Sequence, residues 1–283
     1  MYLLSPFVKA TATHSSVSGD QIRRFQRRVL LFYKKQGRQL PWRMTTDPYK
    51  ILVSEVMLQQ TQVSRVIPYY TRWVEAWPTI QALARASRPQ VLRAWLGLGY
   101  NSRAVRLQQA SRVITHDFGG DVLAAMRDYQ RVPGVGRYTA QAVLIFATNA
   151  DLVTVDTNIR RILLASFGLP ASTADRDLWD LALRCLPKGR SREWHNALMD
   201  YGALQVTARR THIPSKTRQS RFEGSSRQLR AQVLRVLLDA PRTTQALQHM
   251  LCCDEAALSE VLLRMCQEGI LTRDGARFVV ACD

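Results

Sequence analysis

From Gly19 to Val206 apolar residues recur at intervals of three and four, and no useful run alternates with a period of two before residue 270. A chain patterned this way can bury its apolar side chains only by packing helix on helix. The spacing predicts helices near 20–35, 48–60, 62–76, 79–85, 88–96, 102–117, 121–127, 137–148, 157–167, 174–185 and 191–206, with stops at Gly37, Pro78, Gly97 and Gly168. The first domain is therefore expected to be all-α and built of many short helices.

Residues 1–18 are small and polar and read as a flexible N-terminal arm; the helical domain is placed at 19–206. The stretch 207–226 (TARRTHIPSKTRQSRFEGSS) has no periodicity and reads as a basic linker. Residues 227–283 form a second unit. Helical patterns at 227–238, 243–250 and 254–268 precede two short apolar runs, Ile270–Thr272 and Arg277–Ala281, flanking the turn signal Asp274-Gly275. Three helices and a hairpin give a small winged-helix-like α+β domain, an order that many small modules share.

The 283-residue chain is long enough for about two domains. It carries 40 Lys and Arg against 22 Asp and Glu, a net charge of +18. Such a balance points to a polyanionic partner, nucleic acid or an anionic membrane, or else to a basic surface that is merely solvated. No apolar run reaches the length of a spanning helix, and Pro6 interrupts the sole apolar stretch of an N-terminus that lacks a basic leader region. The charge is not spread evenly. Residues 221–283 hold eight Arg and eight acids, so the whole excess lies in residues 1–220. The second domain is accordingly not expected to bind DNA strongly by itself, and a packing or docking role suits it as well. Five cysteines (185, 252, 253, 266 and 282) form no metal-ligand or paired spacing, which fits a reducing compartment.

Three motifs carry chemistry. Val132-Pro133-Gly134-Val135-Gly136 leads directly into a helical run. Two glycines at a spacing of two allow a tight turn with outward backbone N–H groups, and the following helix adds its positive end. That device suits one phosphate, with a monovalent cation as an optional partner, although the same residues also make an ordinary loop between helices. Glu55 lies in the helical run Ile51–Leu58, and its neighbours at three and four residues are Ile51, Leu52, Leu58 and Gln59. A carboxylate there either snorkels to solvent or reaches a cleft, where burial would raise its pKa and make it a proton donor. Asp156 precedes a helical run in VDTNIRRIL, which fits plain N-capping and equally a carboxylate held ionised in a site. An acid of raised pKa with a second, ionised carboxylate is the general arrangement for cleaving glycosidic bonds.

The stretch from about Leu40 to Ala203 resembles the helix-hairpin-helix superfamily of base-excision DNA glycosylases, and within it the adenine-specific branch. The residues that carry the resemblance are Leu40-Pro41-Trp42-Arg43, Asp47-Pro48-Tyr49, SEVMLQQTQV from Ser54, Gly97-Leu98-Gly99-Tyr100, VPGVGRYTA from Val132, VDTNIRRIL from Val155 and Ala197-Leu198-Met199-Asp200-Tyr201-Gly202-Ala203. The resemblance implies a two-lobed all-α fold. It implies Glu55 as the general acid that protonates the base and Asp156 as the carboxylate that steadies an oxocarbenium-like sugar. Tyr138 and Asn158 match positions lining the reaction centre, and Arg43 one near the base. Leu58 and Gln60 match residues that enter the duplex where the target base is flipped out, and Gln59 between them is a further DNA-binding candidate. Val132, Gly134, Val135, Gly136 and Arg137 make the DNA-backbone anchor.

Three departures qualify that reading. Family members usually carry four cysteines after the ALMD-type segment to hold an iron–sulfur cluster; here there is no Cys between 186 and 251, and Arg209, Arg210, Lys216 and Arg218 occupy the region. No cofactor and no metal are therefore expected. The tail is too short and of the wrong pattern for the β-rich domain that reads oxidised guanine in adenine glycosylases. Asn196 stands where the family often has a base-contacting Gln. The chain is expected to act as a monofunctional glycosylase on double-stranded DNA with a mismatched or damaged base, adenine opposite guanine or oxidised guanine first. A thymine or uracil mismatch enzyme and a DNA-binding relative without catalysis are the alternatives. A monomer is expected, with no membrane partner, in the cytoplasm and on the nucleoid if the source is bacterial.

Overall fold

The computed structural model describes residues 17–213 and 222–282. Most of the N-terminal arm and residues 214–221 of the linker, Lys216 and Arg218 included, lie outside them. Contacts divide the chain into two units, each assembled from separate stretches: residues 1–46 with 137–218, and residues 47–136 with 219–283.

The first unit contains α1 (Gly19–Gln36), a 3-10 turn at Pro41–Arg43, α8 (Arg137–Thr148), α9 (Thr157–Phe167), α10 (Asp175–Arg184), α11 (Ser191–Leu204) and α12 (Ala208–Thr211). Ser18 starts α1 with a capping box to Gln21. Val17 is buried and its carbonyl accepts from Arg184, so the last two residues assigned to the arm belong with the first helix. The core gathers Phe25, Val29, Ile162, Leu164, Leu181 and Trp194. Phe25 meets Phe167 and Trp194 edge-on, at 5.1 and 5.6 Å between centroids. Gly202 lets α11 approach α9: a methyl group there would meet Ile162 Cδ1 at 3.0 Å and Asn158 Cβ at 3.3 Å.

The second unit contains α2 (Pro48–Leu58), α3 (Val63–Ala76), α4 (Ile80–Arg85), α5 (Arg88–Trp95), α6 (Ser102–Asp117), α7 (Val122–Arg127) and a 3-10 turn at Tyr129–Arg131. It continues, after the excursion through the first unit, with α13 (Ser226–Asp239), β1 (Arg242–Thr243), α14 (Thr244–Leu251), α15 (Glu255–Gln267), β2 (Leu271–Asp274) and β3 (Arg277–Val280). Asp47 caps α2, with Pro48 in the first helical position, and residues Ile51 to Met57 are all buried. A helix covered on every side is a core helix, so the polar Ser54 and Glu55 within it are exceptional. Trp73 anchors the surroundings, with Trp77 and Trp95 at 4.7 and 5.4 Å.

The expected helices are present with ends shifted by one or two residues. The wing is also as expected, with Gly275 at φ +58° turning β2 onto β3 and Leu271 opposite Val280. Two residues of β1 complete an antiparallel sheet in the order β1-β3-β2; a two-residue strand has no period to read. Part of the expected linker is ordered instead, because Thr207 caps the single turn of α12.

Candidate active site and DNA-facing elements

Glu55 sits on the third turn of α2 and is 8% exposed. Its seat is fixed from both ends of the helix: the Asp47 cap at the start, and Arg103 at the end. The Arg103 guanidinium reaches across from α6 and donates to the carbonyls of Val56 (2.9 Å), Met57 (3.0 Å) and Gln59 (2.7 Å), which the last turn of a helix leaves without partners. Burial pulls Arg103 down to about 10, which still leaves it cationic at neutral pH. With the helix closed off at Leu58, Gln59 turns extended and Gln60 adopts φ +54°. The expected helix to residue 60 thus stops two residues early. Leu58 and Gln59 are half-buried and Gln60 is exposed.

The predicted hairpin follows in the same unit. Val132 and Val135 turn their side chains inward at 3% and 9% exposure, and Val135 N–H closes the turn on Val132 O (3.2 Å). Gly134 has φ +74°, and a methyl group on it would meet Arg106 Cβ at 2.7 Å. Gly136 has open space around it, so its backbone is approachable from outside. Both valines thus hold a turn in which Gly134 packs against Arg106 and Gly136 stays open to the outside.

In the first unit α8 begins at Arg137, whose guanidinium lies 4.1 Å from the Trp179 ring centroid, and half-buried Tyr138 follows in its first turn. Asp156 caps α9: its Oδ1 accepts from Ile159 N–H (2.7 Å) and its Oδ2 from Asn158 Nδ2 (3.0 Å). Arg161 orients the same asparagine by donating to Asn158 Oδ1 (3.1 Å). Two predicted residues are therefore one hydrogen-bonded pair. Burial raises the Asp156 carboxyl above the usual aspartate range, against the pull of these donors and of the Arg161 charge. The cap is real, and it holds a carboxylate that pays a desolvation cost a surface cap would not.

Behind this turn His195 is buried and neutral. Its Nε2 accepts from Thr154 N–H (3.2 Å) and its Nδ1 lies 2.8 Å from Ser191 O, an arrangement that fixes the Nδ1–H tautomer. Burial pushes its pKa down to about 4.

Arg43 and Asn196 both line a cleft of about 730 Å³ in the first unit. The Arg43 guanidinium is a two-pronged partner of Asp200, with Nη1 and Nη2 each 2.8 Å from a carboxylate oxygen. Arg38 adds its backbone N–H (2.8 Å) and Nε (2.7 Å) to the same fully buried carboxylate. Burial alone would raise Asp200, but the bonds from Arg43 and Arg38 outweigh it and hold the carboxyl below the usual range. Sequence reasoning passed over Asp200 and Arg38. Like Glu55, Asp200 is a carboxylate among apolar neighbours on a helix, a signal the sequence carries; its arginine partners lie some 160 residues away, and no spacing rule connects them.

Cys185 is the one cysteine of the first unit, it is buried, and burial pushes its thiol up to about 12, the opposite of a thiolate ligand. Among the described residues no three His, Cys, Asp or Glu side chains form a group that could hold a metal ion. No described helix is long and apolar enough to cross a membrane.

Residues 53–182 match the family model described as HhH-GPD superfamily base excision DNA repair protein. The chain is 37% identical over 280 residues to an adenine DNA glycosylase of Mycolicibacterium smegmatis, an alignment that covers 89% of this chain and 94% of that protein. This chain belongs to the HhH-GPD superfamily of base-excision DNA repair proteins. It is also 40% identical over 206 residues to an adenine DNA glycosylase of Rattus norvegicus, spanning 67% of this chain and 40% of the rat protein. Among solved structures, a thermostable thymine-DNA glycosylase superposes with a TM-score of 0.63 at 28% identity, over 68% of this chain and 90% of its own. A non-covalent endonuclease III–DNA complex shares the fold at a TM-score of 0.60 and 18% identity, over 68% of this chain and 89% of its own.

Proposed function

We propose that this chain is a monofunctional DNA glycosylase that hydrolyses the N-glycosidic bond of adenine mispaired with guanine or oxidised guanine, acting as a monomer. The observation that carries the reading is the relation to the Mycolicibacterium adenine glycosylase along nearly the whole of both chains, with Glu55, Tyr138, Asp156 and Asn158 all present. In this reading Leu58, Gln59 and Gln60 enter the duplex and the hairpin holds a phosphate. Glu55 protonates the flipped adenine at N7, and the bond to C1′ breaks as positive charge spreads over the sugar. Asp156, kept in orientation by Ile159 N–H and Asn158, stabilises that charge. Water adds to C1′ and gives its proton to the Glu55 carboxylate, which restores the acid. Tyr138 offers a hydroxyl and no amine, so no Schiff base forms and the abasic strand stays intact.

Single-turnover assays on A·G, A·oxidised-G, T·G and U·G duplexes, read with and without alkali, test this. Adenine release with strand cleavage only after alkali is expected. The 28% identity to the thymine-DNA glycosylase favours a second reading, and release from T·G in preference to A·G would establish it. Purified without oxygen, the protein is expected to be colourless; stoichiometric iron and sulfide would show a cluster site that these cysteines do not provide.

A further inference from the structure

The C-terminal module is neutral, yet it is tied tightly to the helices around it. Arg88 Nη1 on α5 donates to Gly269 O (2.7 Å), and Arg93 pairs with Asp239 (3.3 Å) at the end of α13. A third link is of another kind. Arg227, on the first turn of α13, places its guanidinium 5.4 Å from the Tyr100 ring centroid and donates to the Tyr100 hydroxyl (3.2 Å). Tyr100 is held at φ +48°, a backbone state that a bulky residue seldom takes. Arg103 Cζ lies 5.7 Å from the same ring. Tyr100 therefore has two guanidinium partners, one from the module and one from α6.

Arg103 is the residue that shapes the Gln59–Thr61 loop. Besides its bonds to the end of α2, it donates through Nη2 to Thr61 Oγ1 (3.1 Å) and to Leu98 O (3.2 Å) and Gly99 O (3.0 Å). One side chain thus joins the 59–61 loop to the 97–100 loop, and the latter is what the module touches. An arginine with this many acceptors is set by the position of every one of them.

We propose that the C-terminal module positions the Gln59–Thr61 loop through the relay Arg227–Tyr100–Arg103, so that it serves base flipping without reading DNA itself. The proposal rests on the reading above that this loop enters the duplex. It accounts for a module that carries seven Arg and seven acids over residues 227–283, a poor composition for binding DNA independently, and that is nevertheless fastened at three points. Arg103, Tyr100 and Arg227 are positioning residues: they act on the loop, and the loop acts on the duplex.

The test uses the full chain and a mismatched duplex with 2-aminopurine beside the target base, whose fluorescence rises when the base leaves the stack. Flipping is read on binding and needs no excision. Arg227→Ala is expected to slow flipping and excision together by about tenfold, the scale of a lost cation–π and hydrogen-bond contact. Excision from a duplex in which the target base is already unpaired in a bulge is expected to stay within about twofold of wild type. Arg227→Lys, which keeps a cation and a donor, is expected to recover most of the flipping rate, and Tyr100→Phe to fall between them. Melting curves of these partly exposed variants check the fold, since Arg103 itself is buried. Flipping at the wild-type rate in Arg227→Ala overturns the proposal, and so does an equal loss on paired and bulged targets. If wild type flips bases and excises none, the glycosylase reading fails while the fluorescence still decides the relay. If wild type does neither, the loop is not DNA-facing and the relay proposal falls with it.

Discussion

Asp156, half-buried, and His195, buried, are ionisable groups whose environments disfavour the charged form, and each has a consequence that can be measured. The folded-state pKa of Asp156 is raised, so stability falls as the pH climbs from the unfolded value toward the folded one, and the cost is complete above it. Asp156→Asn removes the cost and keeps a good cap, so the Tm at neutral pH is expected to hold or rise, while excision falls by about 10²–10³-fold. Full activity in that variant would reduce Asp156 to a cap. For His195 the sign runs the other way along the pH axis. Its pKa falls from 6.5 to about 4 on folding, so stability is complete above the unfolded value and drains away as the pH drops toward 4. The loss amounts to about 3 kcal/mol over that window, and urea titrations at several pH values should show it. His195→Gln is expected to flatten this dependence, because a glutamine takes up no proton. A dependence that survives the substitution would assign it to another group.

Within the hairpin, two glycines of the same motif have different jobs. Gly134→Ala must hold φ +74° and crowd Arg106 Cβ, so a loss of about 1–2 kcal/mol is expected in denaturant titrations. Gly136→Ala meets nothing, so it should unfold as wild type does and yet bind DNA less tightly, because a methyl group then stands where a phosphate would approach. Unchanged DNA affinity in Gly136→Ala would remove this turn from the interface. Elements of this kind were legible in the sequence. Helices announce themselves by period, and a Gly-x-Gly before a helix announces a turn. What escaped were features made by residues far apart in the chain: the Arg38–Asp200–Arg43 cluster, the Arg103 fan that ends α2 two residues early, and the seating of α13 against α5. Periodicity reports which face of an element is apolar and says nothing of which distant side chain will end a helix or neutralise a buried acid.

For the molecule as a whole, the confinement of the excess charge to residues 1–220 means that salt should act on one part of the chain. Substituting Lys34 and Lys35 at the cleft of the first unit is expected to lessen the slope of log Kd against log salt by about 1–2, and substituting Arg264 and Arg277 in the C-terminal module to leave it unchanged. A reduced slope in the second pair would place the module on DNA. The order of segments matters as much as the charge. Helix α1 presents Phe25 and Val29 to partners on α9 and α11, and the bond from Gln26 to Cys185 already spans 159 residues. A ribosome adding about 5–20 residues per second needs roughly 8–30 s to deliver those partners after α1 has left it. During that interval α1 lacks its partners on α9 and α11, while the helices of residues 47–136 already have one another to pack against. The nascent chain is thus most vulnerable to chaperone capture or aggregation at α1, which is among the last of the described helices to find its place.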